Sequence, residues 1–246
     1  MQEQIGSHPL WHLSFLPPPF NTVHADTVVI TWLVMALALV IFGALAATHP
    51  VTIVSKRYSI MELLVGGLTS LTTSILGRRG TPLAPYIITI LVFIFLMNEI
   101  GLFPFIGKSP TADLNTTAAL AITTILLIQV VGIRNKGLGF YKHLVIKPLG
   151  LGIPMLPFML IDELARPVTL AMRLFGNIFA GEILLVVAAA IIVADITIGP
   201  VNISKLANVA PFLIYGFNMI IGTIQAVVFT LLTIGYLVVP TEETEH

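Results

Sequence analysis

The chain has no cysteine, and only 10% of its 246 positions carry Asp, Glu, Lys or Arg. Without cysteine there is neither a disulfide framework nor a thiolate metal site. The few charges balance, 12 basic against 12 acidic, so no basic field exists to attract nucleic acid. There is no Walker-type glycine loop, zinc-ligand cluster or serine nucleophile motif. No cofactor is therefore expected, and energy for any work has to come from a partner or an ion gradient. The first 26 residues contain neither Lys nor Arg and include Pro17-Pro18-Pro19. A cleavable secretory signal needs a basic stretch ahead of its apolar core, so no cleaved signal is expected and the first span serves for insertion. His8 and His12 have i, i+4 spacing, but Pro9 between them disfavours a helix. They read as part of a solvated N-terminal segment rather than a metal site.

What the chain has in abundance is apolar surface. Apolar residues fill 57% of positions, and mean hydropathy is +0.99. Soluble domains carry roughly 25% charged and about 45–50% apolar residues, so the solvent for most of this chain is lipid. A spanning helix needs about 20 apolar residues. Candidates run from about Thr27 to Ala47, Leu83 to Phe105 and Leu114 to Ile133. Two longer ones run from about Pro167 to Ala194 and Leu206 to Val239. The stretch Ile53 to Leu76 holds Lys56, Arg57, Glu62 and several hydroxyls, and is expected to lie at the interface as an amphipathic helix. Between Lys147 and Pro167 stand four prolines, Pro148, Pro154, Pro157 and Pro167. Each removes a donor and crowds the preceding turn, so short helical pieces are expected there rather than one straight span.

The expected fold is thus an all-α integral membrane protein. It has about five transmembrane helices plus an interfacial amphipathic helix, the last two spans long and tilted. A single membrane domain covers residues 1–246: an outer N-terminal segment 1–26, a helical region 27–239 and an inner acidic tail 240–246. Lys56, Arg57, Arg78, Arg79, Arg134, Lys136, Lys142 and Lys147 fall in two loops that the helix count puts on one side. The opposite loops hold only Lys108 and Lys205. By the positive-inside rule the N-terminus lies outside and the C-terminus in the cytoplasm. An uncleaved start with an outer N-terminus suits a bacterial plasma membrane.

The two remaining basic residues stand where charge is expensive. Arg166 begins the fourth span, from about Pro167 to Ala194, and Arg173 lies well inside it, and a guanidinium there costs about 2.5–3.5 kcal/mol on insertion scales. It cannot shed its proton. It therefore faces water, a partner carboxylate, or an acid of its own chain such as Asp162 or Glu163. At about 100° per residue Arg173 and Asn177 share a face, whereas Glu182 is about 180° around and roughly 13 Å further along. One helix thus presents a fixed cation on one side and a titratable carboxylate on the other. On the last span Asn218, Gln225 and Tyr236 differ by at most about 20° and form one polar stripe, suited either to interhelical hydrogen bonds or to lining an ion path.

These residues carry a resemblance. Arg173-Leu-Phe-Gly-Asn177-Ile-Phe-Ala-Gly-Glu182 resembles the signature of the ATP synthase subunit a family. So do Glu163-Leu-Ala-Arg166-Pro-Val-Thr-Leu, the run from Ile224 to Tyr236, and the shorter Asp113-Leu-Asn115 and Asn98-Glu-Ile-Gly-Leu-Phe-Pro104. It extends in order over residues 25–240. It implies a non-catalytic, ion-translocating stator subunit of a rotary ATP synthase. Partners would be a ring of c subunits bearing mid-membrane carboxylates, and subunit b or the peripheral stalk. Two offset half-channels would pass protons or sodium ions, with Arg173 separating them. Asn177 and Glu182 would line the half-channels, Gln225 would lie opposite Arg173, Asp113 would stand near the outer mouth, and Glu163 near the inner exit. Where some family members carry a histidine seven residues before the matching glutamine, this chain has Asn218. Asparagine cannot titrate, so a relay here would rest on water and Glu182. Two alternatives to the stator role remain open at this point. A stand-alone secondary transporter would need inverted repeats and a midplane pocket, and neither is visible. In a structural scaffold, Arg173 would pair within the chain.

Overall fold

A computed structural model describes residues 10–12, 22–47, 56–103, 109–137, 139–140, 149–194, 197–198, 201–202 and 209–242. His8, the Pro17–Pro19 triplet, Lys108, Lys142, Lys147, Pro148, Lys205 and the tail beyond Glu242 lie outside them. Among the described residues six α-helices follow in order: α1 (Ala25–Ala47), α2 (Lys56–Gly80), α3 (Ala84–Ile100), α4 (Leu114–Lys136), α5 (Leu149–Val193) and α6 (Ala210–Thr241). Two short antiparallel ribbons, Leu10–His12 with Thr22–His24 and Thr197–Ile198 with Val201–Asn202, are the strands among the described residues. Among the described residues five stretches are long and apolar enough to cross a membrane: Ala25–Ala44, Leu63–Ile100, Leu114–Lys136, Pro157–Ile192 and Ala210–Thr241. This is the all-α membrane architecture that composition required, with five spans.

The second stretch joins α2 to α3. Gly77 sits at φ 65° inside α2, a conformation open to glycine at little steric cost, and a 3₁₀ turn over Thr81–Leu83 leads directly into α3. The hydroxyls that make α2 look polar are turned back on its own carbonyls. Thr69 donates to Val65 O at 2.7 Å, Thr72 to Leu68 O at 2.6 Å, and Ser74 to Leu71 O at 2.9 Å. Satisfied in this way, α2 buries Thr72 and Leu76, and Leu76 packs with Ile87, Ile128, Ile234 and Leu237.

The proline-rich stretch departs from expectation. In place of separate pieces, one helix runs unbroken from Leu149 to Val193, 45 residues across Pro154, Pro157 and Pro167. Each proline removes one helical hydrogen bond, which bends a helix without ending it when neighbouring helices hold the turns on either side. The last helix begins at Ala210 rather than Leu206, with a proline, Pro211, in its first turn, where the missing N–H is unpaired in any helix.

The core is shared by α3 to α6. Ile90, Ile94, Ala121, Leu170, Leu174, Ala226 and Phe229 form one buried cluster. Leu170 and Leu174 bracket Arg173 in sequence and are buried, whereas Arg173 itself is exposed at the edge of that packed face. Near the C-terminal end of α4, Gly132 lets the Phe140 ring approach. A β-carbon there would meet ring carbons at 2.8 Å. Gly132→Ala is expected to destabilise the protein by about 1–3 kcal/mol through overpacking, seen as a fall of several degrees in Tm in detergent. An unchanged Tm would mean that the ring simply swings aside.

Candidate functional site

The ends of the bundle are fixed by two contacts. His24 Nδ1 lies 2.6 Å from Asp113 Oδ2, so α1 and α4 start at the same end. Asn135 Nδ2 donates to Pro240 O at 3.3 Å, so α4 and α6 finish together at the other. Asp113 also caps α4, its Oδ1 accepting from Asn115 N–H at 2.9 Å, the usual task of an acidic residue before a first turn. α5 therefore runs from the Arg134 end to the Asp113 end, carrying Asp162, Glu163 and Arg166 first, then Arg173, Asn177 and Glu182.

α6 lies antiparallel to α5, and its polar stripe falls in the seam between them. Asn218 rests on Gly181, where any β-carbon would overlap its side-chain amide. Gln225 Oε1 accepts from Asn177 Nδ2 at 2.8 Å. The Tyr236 ring has the Arg166 guanidinium 5.2 Å from its centroid, within range of a cation–π contact. The expected stripe of Asn218, Gln225 and Tyr236 thus meets α5 along its whole length. Gln225 bonds one turn beyond Arg173, not to Arg173, and its own Nε2 is buried without a protein partner among the described residues.

At the Asp113 end these elements enclose a cavity of ≈ 790 Å³. His24, Asp113, Asn177, Glu182, Tyr215 and Asn218 all line it. Four of them are the sequence candidates Asp113, Asn177, Glu182 and Asn218, supplied by two helices and a helix cap. Such a volume has room for several waters beside polar groups that can hydrogen-bond them. Glu182 Oε1 also accepts the N–H of Ser109 at 2.9 Å.

A separate cluster occupies the Arg134 end. Arg166 Nη2 reaches Asp162 Oδ2 at 3.2 Å and its Nη1 lies 3.0 Å from Glu163 Oε2. Glu163 Oε1 accepts from Gln129 Nε2 of α4 at 2.5 Å. Glu163 is mostly buried whereas Asp162 is 70% exposed. Arg166 therefore carries the ion pairs within the chain that were open for either arginine. Replacing it by Leu is expected to lower Tm by several degrees, because a mostly buried Glu163 loses its counter-charge. Lys at 166 should restore part of the loss, and equal Tm for Leu and native protein would mean the pairs contribute nothing.

Arg173 differs. It is exposed, stands near the middle of the span Pro157–Ile192, and forms no hydrogen bond or ion pair among the described residues. Asn177, one turn on, shares its exposed face, and Glu182 is turned away into the cavity, as the helical period dictates. Sequence reasoning missed Ser109, Gln129 and His24 as site neighbours. A lone amide in an apolar span could have marked Gln129; nothing local marked the other two.

A protein-family model described as ATP synthase A chain matches residues 28–238 of this chain. The chain belongs to the ATP synthase A chain family. ATP synthase subunit a 3 of Pelobacter propionicus is 36% identical over 239 residues, covering 94% of this chain and 96% of that protein. ATP synthase subunit a of Desulforamulus reducens is 36% identical over 228 residues, 92% of this chain and 81% of the relative. The Moorella thermoacetica subunit a is 36% identical over 214 residues, 86% and 88% respectively. The resemblance carried by the Arg173–Glu182 decapeptide thus extends over nearly the whole chain. Family and five spans together support a multi-pass protein of the bacterial plasma membrane, working in ATP synthesis and ion transport within the membrane sector. A stand-alone transporter gains no support from them.

Proposed function

We propose that this ATP synthase A chain family member is the ion-translocating stator subunit, non-catalytic by itself and working against a ring of c subunits. The observation that carries the reading is Arg173: a permanent charge at mid-span, on an exposed face, without a counter-charge among the described residues. A cation so placed is tolerated only against water or against a carboxylate from outside the chain. The ring carboxylates supply that partner in turn.

The cavity at the Asp113 end is then the outer half-channel. Ions enter past His24 and Asp113, pass Asn218 and Asn177, and reach Glu182. Glu182 passes the ion toward a ring carboxylate, while Asn218 only orients water. Gln225, bonded to Asn177, keeps the α5–α6 seam closed beside Arg173. The exit lies at the Arg134 end, near Asp162 and Glu163, and faces the cytoplasm, with Tyr236 holding Arg166 against that mouth. The N-terminus is outside and the C-terminus inside. Subunit b, or the peripheral stalk, holds the chain still while the ring turns, and the whole chain acts as one membrane domain. The ion is a proton or a sodium ion.

The absence of cysteine supplies the test. Met172, beside Arg173, is 50% exposed, so Met172→Cys creates a single reactive thiol on the face assigned to the ring. A short thiol cross-linker in membranes of the intact complex is expected to join it to a c subunit. Capture of subunit b instead, with none of the ring, would overturn the reading.

A further inference from the structure

The segment ahead of α4 touches α3 and α5 directly, and reaches α6 through Asn98 of α3. Besides the Ser109 N–H given to Glu182 Oε1, Ser109 Oγ lies 2.7 Å from Met97 O and 2.6 Å from Thr111 Oγ1. Thr111 Oγ1 lies 2.8 Å from Asn98 Oδ1, and Asn98 Nδ2 donates to Gly222 O at 2.9 Å. All three side chains are buried: Ser109 6% exposed, Thr111 0%, Asn98 3%. Gly101 makes room for them, since a β-carbon there would fall 2.6 Å from Ser109 N.

Proton counting says what this network can do. Three oxygen–oxygen contacts share two hydroxyl protons. One proton lies between Ser109 and Thr111, leaving the other for either Met97 O or Asn98 Oδ1. The hydroxyls can therefore reorient, but they cannot pass a proton to Glu182. The group that meets the carboxylate is a backbone amide, which keeps its hydrogen. The network holds; it does not relay.

We propose that Ser109 is a positioning residue for Glu182. Its amide fixes Oε1, and its hydroxyl, through Thr111 and Asn98, pins that amide to the backbones of α3 and α6. A carboxylate on a long, rotamer-rich side chain is thereby held at one point on the wall between cavity and ring. The inference rests on the reading of Glu182 as the outer half-channel carboxylate.

The test is a double-mutant cycle on passive ion flux, in vesicles holding the whole membrane sector with the catalytic sector stripped off. Ser109→Pro removes the N–H, and the native φ of −86° is close to what proline adopts. Ser109→Ala keeps it. With Glu182 present, Ser109→Pro is expected to lower flux about tenfold, the scale of a lost hydrogen bond to a charged group, and Ser109→Ala by less than about threefold. In a Glu182→Gln background Ser109→Pro is expected to add no further loss, because the carboxylate it serves is gone. An equal loss in both backgrounds, or no loss with Glu182 present, overturns the proposal. If Glu182→Gln alone leaves flux unchanged, the half-channel reading fails, and this inference falls with it. Should Ser109→Pro not assemble with the ring, Thr111→Val is run through the same cycle. It is expected to cost about threefold with Glu182 present, and additivity there also overturns the proposal.

Discussion

Vesicles carrying Arg173→Ala in an otherwise assembled complex are expected to lose gradient-driven ATP synthesis by about 100-fold or more, while passive ion leak rises. The two effects come from one charge. At about 5 Å and an effective dielectric near 20, a unit charge contributes about 3 kcal/mol, whether attracting a carboxylate or repelling a cation. That is a factor of about 150 in either sense. Removing it leaves a deprotonated ring carboxylate without its partner and opens a direct path between the two half-channels. The placement of Arg173 makes the experiment clean, because no ion pair within the described residues is broken by the substitution. Arg173→Lys is expected to fall in between and to worsen at alkaline pH, since a desolvated ammonium can lose its proton where a guanidinium cannot. Unchanged synthesis in Arg173→Ala, with the ring still copurifying, would make the arginine structural and end the proposed mechanism.

The second large effect is expected for Glu182→Gln. Glutamine keeps the volume and can still accept the Ser109 N–H, so the cavity wall should keep its shape. It cannot take up and release a proton. Flux through the membrane sector should fall by about 10- to 100-fold, at or below the usual range for losing an acid–base group because water in the cavity can carry part of the traffic. Here Asn218 has no titratable group to share the load. Glu182→Asp should recover only part of the flux, its carboxylate being one methylene short of Ser109. Should Gln prove as conductive as Glu, water alone would carry the ion and Glu182 would be a wall residue. A large change in leak rather than flux would instead assign it to the barrier.

Much of this protein is legible from local patterns. Apolar runs of span length locate helices because lipid offers no partner for backbone groups, and α1, α3, α4 and α6 both begin and end within about five residues of the hydropathy boundaries. The opposition of Arg173 and Glu182 also follows from the helical period alone. Hydroxyl-rich α2 was harder, because polarity counted by residue ignores hydroxyls bonded to their own helix. The prolines of α5 were misleading for a related reason. Proline lowers the stability of an isolated helix, while the fate of that turn depends on neighbours that no local window contains.

What the sequence determined by itself is the solvent, the number of spans, the faces of each helix and the family to which the decapeptide points. Which face meets which was decided only by the tertiary structure. That Glu163 pairs with Arg166 and Gln129 rather than with Arg173 is one such outcome. Others are the contacts of Asn218, Gln225 and Tyr236 along α5, and Ser109 reaching Glu182 across 73 residues of chain. Hydropathy and helical period are properties of consecutive residues. The pairing of polar groups inside lipid depends on how separate helices pack side by side, with each buried donor and acceptor seeking its partner across the seam.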